Sequence, residues 1–92
     1  MDARVVDNPA AKRFEFAVGD DLAVAYYRIE GARFVLLHTE VPQELSGQGI
    51  GTKLAEGVFE QLHAAGHRVI AKCPFMARFA SRHLEYSKML DG

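Results

Sequence analysis

The chain has 92 residues, 49% hydrophobic and 25% charged, a balance that excludes disordered and fibrous classes and sets one compact domain, residues 1–92, as the ceiling. No apolar run approaches the roughly 20 residues of a membrane helix, and the acidic start Met1-Asp2 lacks the layout of a secretory leader, so a cytoplasmic protein with no membrane partner is expected. A single cysteine, Cys73, excludes an internal disulfide framework and a Cys-rich zinc site, and no metal is expected.

The net charge of −1 conceals an asymmetry. Residues 1–46 hold five Lys or Arg against eight Asp or Glu, whereas residues 47–92 hold six against four. A small anionic ligand would therefore prefer the second half. Lys53, Arg68, Lys72, Arg78 and Arg82 are spread singly among apolar residues, so the contiguous basic stripe that a nucleic-acid partner requires is missing.

Phe14–Val18 alternates, Gly19-Asp20-Asp21 is a turn cluster, and Leu22–Glu30 is rich in β-formers, which predicts a first hairpin. Gly31-Ala32 then forms a two-residue turn into Arg33–Val41, with Glu30 opposite Arg33. Counting inward places Ile29 opposite Phe34, Tyr27 opposite Leu36, Ala25 opposite His38 and Ala23 opposite Glu40, all on one face. The other face receives Val24, Tyr26, Leu37 and Val41. Both faces read as mostly apolar, which predicts cover on both sides by helices or by a second copy, and leaves room for weak self-association. Pro42 ends the strand.

Beyond Pro42, Ile50, Leu54, Val58 and Leu62 recur every four residues as one stripe of a helix of about four turns, with Gly66 as its stop. Arg68–Cys73 is a short β-run. Pro74 opens a second helix carrying Phe75, Met76, Phe79, Ala80, His83 and Leu84. The predicted class is α+β (mixed α/β), mainly antiparallel with two helices, in the order β-β-β-α-β-α.

The stretch Ser46-Gly47-Gln48-Gly49-Ile50-Gly51-Thr52-Lys53 leads from a strand into a helix. Its glycines let backbone approach a ligand, and free N–H groups with the positive end of the helix dipole suit a phosphate. The plain alternative is a tight turn with no ligand. Gly51-Thr52-Lys53 reverses the Gly-Lys-Thr order of an ATP-binding loop, and the glycine spacing is not that of a dinucleotide fold.

Val41-Pro42 followed by Gly47–Leu54 resembles the acetyl-CoA-binding segment of the GNAT N-acetyltransferase superfamily. There the fourth strand ends at a loop of the form Arg/Gln-x-x-Gly-x-Gly/Ala. Gly49 and Gly51 match its glycines, and Ser46 stands where Arg or Gln is usual. His38-Thr39-Glu40-Val41-Pro42, Cys73-Pro74-Phe75 and Arg82-His83-Leu84-Glu85-Tyr86 are similar to features of the short, single-domain branch of that superfamily. Leu84 replaces the usual proline. The resemblance spans about residues 13–86.

The resemblance implies a minimal GNAT-like fold and an acetyl-CoA-dependent N-acetyltransferase acting on an amine acceptor, a small amine or a protein lysine. It implies a cleft between the splayed ends of Arg33–Val41 and Arg68–Cys73, with cofactor contacts from Val41, from Ser46 to Lys53 (Ser46, Gly47, Gln48, Gly49, Ile50, Gly51, Thr52 and Lys53) and from Arg82. A backbone N–H near Val41 would polarise the thioester carbonyl. His38 and Glu40 are the candidate bases. Cys73, before Pro74 at a helix start, would either form an acetyl-cysteine intermediate or protonate the departing thiolate, with direct transfer favoured. Tyr86 resembles the hydroxyl general acid of larger relatives. A different class of function, a CoA- or acyl-CoA-binding module with little turnover, stands as the alternative because so short a chain has little surface for an acceptor pocket. A small interaction protein whose glycine loop is only a turn is the third reading.

Overall fold

The computed structural model of the chain describes residues 5–91. The Met1-Asp2 start lies outside them. Four strands come first: β1 (Val5–Asn8), β2 (Arg13–Val18), β3 (Asp21–Glu30) and β4 (Arg33–Glu40). A short 3-10 turn, Gln43–Leu45, leads through the glycine loop to α1 (Ile50–Ala64), β5 (Arg68–Ala71), α2 (Pro74–Ser81) and α3 (Leu84–Ser87). The sheet order is β1-β2-β3-β4-β5, antiparallel throughout except for parallel β4 and β5. The α+β class holds, with one strand and one short helix beyond the predicted order.

The two predicted hairpins, β2–β3 and β3–β4, follow their turn chemistry. Gly19 and Gly31 sit at φ 60° and 61°, and Val18 pairs with Asp21 as Glu30 does with Arg33. Helix α1 ends as its sequence dictates. Gly66 at φ 76° donates to the His63 carbonyl and His67 to that of Leu62, the paired bonds of a Schellman stop. The second helix ends at Ser81, before the predicted His83 and Leu84, and Leu84 opens α3 instead.

The predicted register holds from Glu30 opposite Arg33 to Tyr27 opposite Leu36 and then slips. A bulge at Leu37 places His38 opposite Tyr26, Thr39 opposite Ala25 and Glu40 opposite Val24. The extra residue turns the strand's last side chains over. His38 and Glu40 therefore share a face with Tyr26 and Val24, not with Ala25 and Ala23.

One face of the sheet and the helices form a continuous core. Phe14, Leu36, Leu54, Phe59 and Met76 are fully buried in it, each worth roughly 1.5–3 kcal/mol of transfer free energy. The rings of Phe59 and Phe79 stack at 5.8 Å, and those of Phe59 and Tyr86 at 5.4 Å, tying α1 to α2 and α3. No described helix covers the opposite face, the first of the two expected kinds of cover, and polar stems lie over it instead. Val24 lies beside Glu15, and Val35 lies between Arg28 and Ile70. Arg13 spans that face, reaching Glu15 at 2.6 Å and the Tyr26 hydroxyl at 3.2 Å. Among the described residues no helix is long and apolar enough to cross a membrane.

Candidate active site

Parallel pairing of β4 with β5 runs only from Arg33 opposite Arg68 to Leu36 opposite Ala71. Beyond it the N–H groups of Lys72 and Cys73 both donate to the Leu36 carbonyl, at 2.9 and 3.0 Å. That shared acceptor ends β5 two residues before the predicted Cys73 and turns the chain into α2. From Leu37 onward β4 is paired only with β3, and a cleft opens on its other side.

The cleft holds about 320 Å³ and is lined by His38, Thr39, Val41, Gly51, Cys73, Pro74 and Phe75. Cys73 is 6% exposed and is the N-cap of α2, with Pro74 at the first helical position where no N–H is needed. Its sulfur lies 3.3 Å from the Thr39 hydroxyl. Val41 follows the last rung of the β3–β4 ladder, and its N–H has no backbone acceptor among the described residues.

Two helices begin at this cleft, since Gly51 and Phe75 each stand in the first turn of their own helix. A Cβ on Gly51 would meet the Phe75 ring at 3.1 Å, so glycine there lets the two starts converge. Neither first turn carries an acidic residue. Both positive dipole ends therefore act on the cleft without local neutralisation.

The loop before α1 exposes Ser46, Gly47, Gln48 and Gly49. Gly47 and Gly49 take φ 81° and 73°, and added Cβ atoms would meet nothing within 4 Å, so open space lies over this backbone. Gly49 is the N-cap with no side-chain bond, and the first helical bond runs from Lys53 N–H to the Gly49 carbonyl. The amides of Ile50, Gly51 and Thr52 precede that bond and are free to bind an anion. Ile50 anchors the loop in the core, while Thr52 and Lys53 are exposed. Gln48 bonds the Glu44 carbonyl at 3.3 Å.

The cleft thus brings together His38, Val41, Gly51 and Cys73 of the sequence candidates. His38 stands at its rim, with 62% of its side chain exposed, Nε2 3.1 Å from a Glu40 carboxylate oxygen and its ring stacked on Tyr26. Glu40 does not line the cleft. Arg82 is exposed at the end of α2 opposite Pro74, roughly 12 Å along the helix. Tyr86 lines a separate hollow with Glu56, Glu60, Phe79, His83 and Glu85. Burial, and then Glu85, Glu60 and Glu56, raise the pKa of its hydroxyl. Thr39 was overlooked as a site residue because an unbroken register points it away from the core; no sequence signal marks the bulge. Among the described residues no group of three or more His, Cys, Asp or Glu is arranged to hold a metal ion.

The family model of GCN5-related N-acetyl-transferases matches residues 13–89, from β2 through the cleft to the C-terminal segment. The chain belongs to this family. The chemistry of GCN5-related N-acetyltransferases is acyl transfer, and this member is an acyltransferase of that kind, in a family that generally uses acetyl-CoA. Among solved structures it is similar to the NMR solution structure of a GCN5-like candidate N-acetyltransferase from Staphylococcus aureus. The two are 26% identical with a TM-score of 0.71, over 98% of this chain and 89% of the other. No curated protein sequence matches it.

Proposed function

We propose that the protein is an acetyl-CoA-dependent N-acetyltransferase that acylates a primary amine, either a small amine or a lysine on a protein surface. The observation that carries this reading is the uncapped, glycine-rich start of α1 opening onto the cleft that holds Cys73. Main-chain amides from Gly47 to Thr52 bind the pyrophosphate of CoA, and the absence of side chains at Gly47 and Gly49 gives it room. The Val41 N–H donates to the thioester carbonyl as negative charge develops there. Cys73 gives its proton to the departing sulfur, and His38, held by Glu40, accepts the proton that the attacking amine must lose.

Calorimetric titration of the purified protein with acetyl-CoA and with CoA, at low and high salt, tests the reading. Micromolar binding that weakens with salt is expected. Gly49→Glu must hold a side chain at φ 73° and brings a carboxylate to the anion's place, so it should weaken binding by about tenfold or more with the circular dichroism spectrum retained. No heat and no thermal shift with either ligand would overturn the proposal. Binding without release of free CoA in the presence of amines would leave a CoA-binding module instead.

A further inference from the structure

We infer that Thr39 is a positioning residue for Cys73, its hydroxyl accepting from the thiol before proton delivery and donating to the sulfur afterwards. The inference rests on the proposed role of Cys73 as the acid. Thr39 and Cys73 are 34 positions apart, on strand β4 and at the start of α2, and two backbone features bring them together. The shared Leu36 carbonyl pins Cys73 at the corner where β4 and β5 part. The bulge at Leu37 then turns Thr39 to the face of Ala25, where an unbroken ladder would set His38. The hydroxyl and the sulfur end 3.3 Å apart, both lining the cleft. Among the described residues neither has another side-chain hydrogen-bond partner.

The chemistry explains why a hydroxyl suits this place. A thiol has one hydrogen to donate, and a thiolate can only accept, whereas a threonine hydroxyl does either by rotating. During transfer the amine nitrogen forms its bond to the acetyl carbon, the carbon–sulfur bond breaks, and the Cys73 proton goes to the departing sulfur. Thr39 then donates to the Cys73 thiolate, a charge-assisted bond stronger than the neutral one it replaces. The surplus proton of the amine leaves through His38 to water, and Cys73 regains a proton from water, so Thr39 ends unchanged. His38 does not take this part, since at the rim of the cleft its Nε2 is engaged by Glu40 and its ring is stacked on Tyr26. Because the bond gains strength only as the proton leaves, its loss acts on kcat and not on substrate binding.

The test compares Thr39→Val, which keeps the shape and removes the hydroxyl, with Thr39→Ser, which keeps the hydroxyl. Each is checked by circular dichroism and by titration with acetyl-CoA. Thr39→Val should lower kcat by about tenfold with KM for acetyl-CoA unchanged, and Thr39→Ser should recover most of it. A second arm needs no turnover. Cys73 is the single cysteine, so alkylation of the free protein by iodoacetamide reports on it alone. At neutral pH Thr39→Val should react several-fold more slowly than the wild type, and Thr39→Ser at nearly the wild-type rate. A folded Thr39→Val protein that is alkylated at the wild-type rate overturns the inference, as does one that turns over at the wild-type rate. Failure of the wild type to bind acetyl-CoA would sink the functional reading instead, leaving alkylation to judge the pair.

Discussion

Cys73 follows β5 by two residues, bonds the Leu36 carbonyl through its N–H, caps α2 and lines the cleft, so its backbone is fixed on both sides before any chemistry is asked of it. If it supplies the proton to the leaving sulfur, Cys73→Ala should keep acetyl-CoA affinity and lose about 10²–10⁴ in kcat, the usual span for general acid catalysis, as read by steady-state release of CoA. Cys73→Ser should stay near the alanine variant, because an alcohol is a far weaker acid than a thiol even with Thr39 beside it. Full activity in Cys73→Ala would remove the residue from the mechanism. The motif around Cys73 was legible in the sequence, since a cysteine directly before a helix-starting proline has few other places to point. Its partner was not legible, because the face that Thr39 shows depends on a one-residue bulge.

At the scale of elements, α1 was readable from its apolar period and glycine stop, and the two predicted hairpins from their turns. Strand β1 was not: Val5–Asn8 is four residues with no alternation, and it exists because α1 receives it. The Gln61 side chain donates to the Val5 carbonyl at 2.6 Å, and Val5 packs where Gly57 has no side chain. A Cβ on Gly57 would overlap Val5, whose own Cβ would lie 2.5 Å away. Replacing glycine by alanine inside a helix normally stabilises by about 1 kcal/mol. Here overpacking of about 1–3 kcal/mol opposes and should exceed that gain. Gly57→Ala is therefore expected to lower Tm by several degrees, about 4–8 °C per kcal/mol for a domain of this size. The double variant Val5→Gly, Gly57→Ala should recover part of the loss in thermal melts. A rise in Tm for Gly57→Ala alone would show that β1 yields freely and contributes little.

Across the whole molecule, the parallel pair β4 and β5 is open at one end, where the cleft lies, and tied at the other. The tie is Asp91, which accepts from Arg33 at 2.9 Å and from Arg68 at 2.6 Å. These arginines are the first rung of the pair, and without a shared partner two like charges would stand side by side. The terminal segment is fixed there by backbone as well, with Val69 N–H donating to the Met89 carbonyl and Asp91 N–H to that of Val69. The Asp91 carboxyl is pulled from 3.8 to about 2, first by its hydrogen bond with Arg68 and then by that with Arg33. A carboxylate with a depressed pKa contributes stability above its unfolded value and loses it as pH falls through the folded one. Asp91→Asn should thus melt below the wild type at neutral pH, with the gap narrowing from about pH 4 to about pH 2 and closing below that. The two arginines are exposed and Asp91 is partly so, and added salt should narrow the gap as well. Paired melts of the two proteins across that range decide it, and equal melting at neutral pH would show that Asp91 acts through its backbone bonds alone. If the gap closes as expected, amide exchange should quicken at Val35 and Ile70, the rungs between the tie and the cleft, showing that the charge cluster at one end holds the strands that part at the other.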